Sequence, residues 1–216
     1  GYKKQFSILD SSDSYKILSD ILATTDKQLL RKTQWQISSW KNAFITPDQA
    51  AAQAEDELTH AGAKVYQLYQ QTLKAYQSVD FDDLIKLPVE LFEQHPEVLN
   101  KWQHKLKYLL IDEYQDTNHA QYTLIRELAA NSSLTVVGDS DQSIYAFRGA
   151  DIRNITDFEK DFAGAKTILL EQNYRSTQNI LSAANAVIQN NFDRPSKNLW
   201  TASGDGEKIV GYTGYS

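Results

Sequence analysis

Three short apolar runs, each closing on polar or acidic residues, constrain the fold of this chain more than any other feature. Leu106 to Asp112 ends in acid, Leu134 to Val137 leads into Gly138 and Asp139, and Thr167 to Leu170 leads into Glu171. Their large and β-branched residues predict buried strands. Between them, Ala120 to Ala130 and Ile152 to Phe162 have helical spacing, and Ser176 to Asn191 follows as a further helix. Strands that alternate with helices need crossover connections, so the pattern predicts an α/β chain with a parallel sheet.

The first hundred residues follow a different rule and read as helices. Ser14 to Ala23 sets Tyr15, Leu18, Ile21 and Leu22 on one stripe of 3.6 period, and Asp26 is placed to cap a run from Leu29 to Trp40. Thr46 and Pro47 open another helix, because threonine caps well and proline suits the first helical position. Asp48 to about Tyr76 is rich in Ala, Gln, Glu and Leu and predicts one long helix with its weak point at Gly62. Phe192 to Glu207, with Pro195, Gly204 and Gly206, predicts a loop.

At 216 residues the chain has room for one compact domain or two small ones. It contains no cysteine, which excludes disulfides, thiolate nucleophiles and Cys-based metal centres and fits the reducing cytoplasm. No apolar run approaches the ~18 residues of a membrane span, so no membrane role is expected. The net charge of −6 is unevenly spread: seven basic and four acidic residues lie in 1–45, against three and ten in 46–100. With no methionine, a Gly-Tyr-Lys-Lys start and a Gly-Tyr-Ser end, the sequence reads as an internal piece of something longer.

Three segments carry chemistry. A strand that runs into Asp112 and Glu113 delivers two carboxylates to the carboxyl edge of a parallel sheet, where such folds bind ligands. Asp112 suits Mg²⁺, and Glu113 suits a base that deprotonates water, although a solvated strand end has the same sequence. In Val136 to Ala150, a glycine turn, Asp139, Asp141 and Gln142 precede Tyr145, Phe147 and Arg148. Aromatic rings that stack on bases, beside an arginine for phosphate, suit single-stranded nucleic acid, while a core role for the rings and an ion pair for Arg148 stay open. In Leu169 to Ser176, Tyr174 is placed to stack on a flat base, and Arg175, just before a Ser176 cap, suits an arginine finger or a salt-bridged helix start.

Asp-Glu-Tyr-Gln-Asp-Thr (112–117), Val-Gly-Asp-Ser-Asp-Gln-Ser-Ile-Tyr (137–145) and Glu-Gln-Asn-Tyr-Arg-Ser (171–176) resemble, in order and spacing, motifs II, III and IV of superfamily 1 DNA helicases of the UvrD/Rep/PcrA family. Val79 to Ile85 and Ser39-Trp40-Lys41-Asn42 also resemble family segments, with Rep nearest. The resemblance implies an incomplete RecA-like parallel sheet of the P-loop NTPase type with an inserted all-helical subdomain. It implies helical residues 1–100, the later half of a first motor domain at 101–165, and the start of a second at 166–216. It implies ATP and Mg²⁺ as cofactors, with Asp112 as metal ligand, Glu113 as base, Gln142 on the γ-phosphate, and Tyr174 and Arg175 facing adenine and γ-phosphate. Tyr145, Phe147 and Arg148 would touch single-stranded DNA. The family usually has Trp at the position of Phe147, so a weaker grip is expected.

The implied activity is ATP-driven 3′ to 5′ movement on single-stranded DNA and unwinding at DNA junctions, with repair or replication-restart proteins as partners. A motor half of a helicase-nuclease, or an inactive DNA-binding module, are the alternatives. Gln142 and Phe147 are five residues apart, at most ~18 Å along an extended chain, so their shared loop is expected to transmit loss of γ-phosphate to a stacked base. The sequence holds no Gly-x-x-x-x-Gly-Lys-Ser/Thr loop; Gly164-Ala165-Lys166-Thr167 runs toward a predicted strand rather than a helix and is rejected as one. The chain alone is therefore expected not to hydrolyse ATP. His60, His95, His104 and His119 lack metal-ligand spacing, and Asp80, Asp82 and Asp83 read as an acid-capped helix start rather than a cation site.

Overall fold

The computed structural model describes residues 2–146, 149–191 and 197–214. Strand β1 (Ser7–Ile8) leads into helices α1 (Ser11–Leu22) and α2 (Lys27–Asn42). Asp10 and Asp26 cap them, each carboxylate accepting two backbone N–H groups of the first turn. Thr46 and Gln49 form a capping box that starts α3 (Pro47–Ala52) with proline in its first turn. Then follow α4 (Glu57–Ala75) and β2 (Ser78–Val79), which pairs parallel with β1.

The single helix expected from Asp48 to Tyr76 is two helices, and the break lies at residues 53–56 rather than at Gly62. Asp56 Oδ1 accepts the Thr59 N–H at 2.7 Å and starts α4 afresh. Gly62 is inside α4, where a Cβ would lie 3.4 Å from the Trp40 ring. Its missing side chain admits the indole rather than ending the helix.

Helices α1 to α4 enclose one apolar core of Leu18, Leu30, Ile37, Trp40, Ala50, Ala63, Tyr66, Tyr69 and Leu73, all buried. Trp40 and Tyr66 stack at 5.6 Å between ring centroids. Within this unit Lys41 is fully buried, paired with Asp80 at 2.6 Å and Asp83 at 3.0 Å. The Tyr69 hydroxyl donates to Asp80 at 3.0 Å. The acidic cluster at 80–83 does open a helix under an acid cap, with Asp80 Oδ1 accepting the Asp83 N–H at 3.0 Å, but Asp82 makes no cap bond, and Asp80 and Asp83 also neutralise a buried lysine. Burial pushes the Asp83 carboxyl up despite the opposing Lys41 charge.

Beyond β2 come α5 (Asp83–Gln94), α6 (Pro96–Lys105), β3 (Tyr108–Ile111), α7 (His119–Ala129) and β4 (Ser133–Val136). Strands β3 and β4 are parallel, with Leu109 opposite Leu134 and Ile111 opposite Val136. They are not buried as expected: alternate residues stay open, Tyr108 at 83% and Leu110 at 69% exposure. Among the described residues the sheet has two strands, so one hydrogen-bonding edge of each has no partner strand.

The strand expected at Thr167 to Leu170 does not form. No neighbouring strand among the described residues supplies its ladder, and Ile168, Leu169 and Leu170 are exposed. Only an isolated parallel bridge joins Gln172 to Trp200. The helix expected from Ile152 to Phe162 is two short ones, α8 (Arg153–Thr156) and α9 (Phe158–Asp161), and α10 (Gln178–Ile188) follows. Ser176 is not its cap; Thr177 holds that position.

Candidate functional site

The carboxyl edge of β3 and β4 gathers the acids. Beyond the strands the ladder continues, with Val137 N–H donating to Ile111 at 2.8 Å and Tyr114 N–H to Val137 at 3.0 Å. This sets residues 112–114 directly beside 137–139. Glu113 has φ +50°, a left-handed conformation that costs a non-glycine residue ~1–2 kcal/mol and is retained mainly where the surroundings or function demand it. It turns the strand into the 3₁₀ turn Tyr114–Asp116.

Asp112 and Glu113 are exposed, and Asp112 Oδ1 accepts the Glu113 N–H at 2.9 Å. Gln115, buried beneath them, donates from Nε2 to Glu113 Oε2 at 2.7 Å and accepts the Asp139 N–H at 3.0 Å. Gln142 Nε2 donates to Asp139 Oδ2 at 2.9 Å. Asp112, Glu113 and Gln142 thus meet at one edge. Burial would raise the Asp139 carboxyl, but hydrogen bonds from Lys197, Gln142 and the Asp141 N–H outweigh it and hold it below the ordinary aspartate value. Lys197 also lies 3.3 Å from Asp141.

The turn after Glu113 is clamped from two sides. Asn118 caps α7 and donates to Asn42 at 2.8 Å, which donates to Asp82 at 2.8 Å, tying the turn to the helical unit. From the other side, Asn154 of α8 donates to the Thr117 carbonyl at 3.0 Å. Tyr114 is buried edge-on against Phe158, and burial pushes its hydroxyl up to about 12.

Among the described residues, the hydrogen bonds of Tyr174 and Arg175 run within their own segment rather than to this edge. Both are exposed; the Tyr174 hydroxyl donates to Gln172, while Asn173 Oδ1 accepts the N–H groups of Arg175 and Ser176 at 2.9 and 2.7 Å. Tyr145 is partly buried, and Phe147 and Arg148 lie outside the described residues. Ala146 and Gly149, on either side of them in sequence, line an open cleft of about 890 Å³ together with Arg31, Trp35 and Phe81. The rings of Trp35 and Phe81 are exposed.

Sequence reading missed Gln115, Trp35 and Phe81. Gln115 gives no local signal, because the backbone it binds lies 24 residues away. Trp35 and Phe81 carried a weak one: large rings flanked by polar residues, Gln34 and Gln36 in one case and Asp80 and Asp82 in the other. Gly164 has φ +85°, and residues 165–177 form no helix.

The edge suits a magnesium nucleotide. Magnesium takes oxygen ligands, commonly one or two carboxylates completed by water and phosphate. The exposed Asp112 carboxylate beside Asp139 and the Gln142 amide offers that donor type, open on one side to a phosphate chain. Among the described residues no cluster of three or more His, Cys, Asp or Glu forms a closed metal cage, and no helix is long and apolar enough to cross a membrane.

Comparison with known proteins bears on this edge. The family model of the UvrD/REP helicase N-terminal domain matches residues 1–163, and that of the UvrD-like helicase C-terminal domain matches 168–216. The ATP-dependent DNA helicase UvrD1 of Mycobacterium tuberculosis is 49% identical over 98% of this chain and 29% of its own length. The ATP-dependent DNA helicase PcrA of Staphylococcus aureus is 49% identical over 98% of the chain and 30% of its own, and that of Leuconostoc citreum 48% over 98% and 29%. The chain thus spans under a third of these relatives' length. Its helix-rich α/β architecture with short parallel strands is that of a partial RecA-like helicase fold. With three quarters of the chain inside the N-terminal model and the rest almost wholly inside the C-terminal one, the chain belongs to the UvrD/REP helicase family.

Proposed function

We propose that this chain is part of an ATP-dependent DNA helicase that moves 3′ to 5′ on single-stranded DNA and unwinds duplex in DNA repair or replication restart in the cytoplasm. What supports this reading most is the unbroken set of hydrogen bonds from Glu113 through Gln115 and Asp139 to Gln142. It joins the Glu113 carboxylate and the Gln142 amide, read as base and phosphate sensor, along one strand edge. Residues 1–100 form the inserted helical subdomain, 101–165 the later half of the first motor domain, and 166–216 the start of the second.

Asp112 would hold Mg²⁺, which would supply neutralisation of negative charge on the phosphate oxygens. Glu113 Oε2 is engaged by Gln115, so Oε1 is the atom that accepts the proton of the attacking water. Gln142 contacts the γ-phosphate, Tyr174 stacks on adenine, and Arg175 meets the charge that develops on the transferred group. Tyr145, Phe147 and Arg148 hold the single strand, joined by Trp35 and Phe81 of the cleft. Lacking a phosphate loop, the chain alone does not turn over ATP.

The test is ATP turnover by the full-length protein with and without single-stranded DNA. Single strands should stimulate turnover, and Glu113→Gln should lower kcat by ~10²–10⁴. Undiminished turnover in that variant would overturn the assignment of the base.

A further inference from the structure

The Gln115 side chain, only 1% exposed, serves two motifs at once. A main-chain N–H can only donate, so the oxygen of the carboxamide must face Asp139 and its NH₂ must face Glu113. The orientation follows from chemistry and has no equivalent flipped form. Gly138 reserves the space: a Cβ there would fall 2.7 Å from Gln115 Oε1 and 3.2 Å from the Tyr114 nitrogen. Ser143 Oγ adds a bond to the Gln115 carbonyl at 3.4 Å.

We infer that Gln115 is a positioning residue that fixes the Glu113 carboxylate relative to the loop carrying Gln142. The inference rests on the reading of Glu113 as the base. Glu113 is exposed and its side chain has three free torsions; a donor anchored at its far end to backbone fixes Oε2 and leaves Oε1 open to water. Because the anchor is the Asp139 N–H, and the Asp139 carboxylate accepts from Gln142, any shift of the 139–142 loop reaches Glu113 through one buried amide. Gln142 therefore both senses the nucleotide and adjusts the base, and the side-chain route between them runs through Gln115.

The experiment uses the full-length protein with Gln115→Leu, Gln142→Ala, their combination and Glu113→Gln. Hydrogen exchange in a peptide covering residues 137–143 is read alongside turnover. Gln115→Leu keeps the volume and removes both bonds; it should lower kcat by about 10²-fold, the scale of a 1 Å misplacement, with KM for ATP nearly unchanged. Adding Gln142→Ala should cost less than the product of the single losses. Exchange at the Asp139 amide should rise in Gln115→Leu and stay unchanged in Glu113→Gln. Where Gln115→Leu fails to fold, Gln115→Asn, one methylene shorter, should give the same split with a smaller loss. Normal kcat in a folded Gln115 variant, equal shifts in kcat and KM, or multiplicative losses would overturn the inference. Turnover that survives Glu113→Gln would instead remove the base reading, and the exchange data would still decide whether the Gln115 bridge exists.

Discussion

The helical unit and the strand edge are built on opposite principles. Residues 9–80 bury a continuous apolar core, with Leu18, Tyr66 and Leu73 fully covered, so their geometry is set by non-directional packing. At the strand edge Tyr108 and Leu110 of β3 stay open, and order comes from Gln115, Thr117, Asn118 and Asp139 through directional hydrogen bonds. Packing tolerates small shifts, whereas a hydrogen-bond chain loses its register when one member is removed. The Asn118–Asn42–Asp82 tether joins the packed unit to the hydrogen-bonded edge.

The contrast breaks most severely at Lys41, where charge is buried inside the helical unit. Lys41→Met would leave Asp80 and Asp83 buried without their cation, and removal of one partner of such a pair costs about 3–5 kcal/mol. Urea unfolding followed by tryptophan emission should show the loss, and adding Asp83→Asn should recover part of it. A midpoint unchanged in Lys41→Met would mean that water reaches these carboxylates and that the core is less closed than its exposures indicate.

A smaller effect is expected at the edge. Gln142→Ala should leave the stability of the helical unit intact, since Gln142 is exposed and bonds only within its own loop. In the full-length protein it should uncouple ATP turnover from movement along single-stranded DNA, seen as more ATP consumed per nucleotide travelled. If both activities fell in strict proportion, or neither changed, the loop would not be the transmission.

How much of this was legible in sequence follows the same division. Asp26 and Thr46-Pro47 announce their helices because a cap acts within three residues, and β3 and β4 were visible because apolar runs ending in acid are local patterns. The break at 53–56 was hidden by Ala, Gln and Glu, all good helix formers; it is set by the Asp56 cap, while Gly62 answers to Trp40 from another helix. Thr167 to Leu170 has a strand's composition but no ladder partner among the described residues. At the site, the acids and Gln142 carried their own signal. The left-handed φ of Glu113 and the reach of Gln115 did not, because both depend on Gly138 and Asp139 arriving from a distant strand.

The slightest expected effect probes the cap that splits α3 from α4. The Thr59 N–H, donating to Asp56, holds that exposed carboxyl below its ordinary value of 3.8. A group whose pKa is lower when folded binds fewer protons in the native state, so its contribution is fully present above the unfolded pKa and is lost as pH falls through the folded one. Asp56→Asn keeps an oxygen for the Thr59 N–H but cannot titrate. Below pH 3.8 the helical content of the parent should therefore fall more steeply than that of the variant, while at neutral pH the two should differ little. Matching acid profiles by circular dichroism would show that the Asp56 charge adds nothing at this junction, leaving the turn at 53–56 to be held by the packing of α3 and α4 alone.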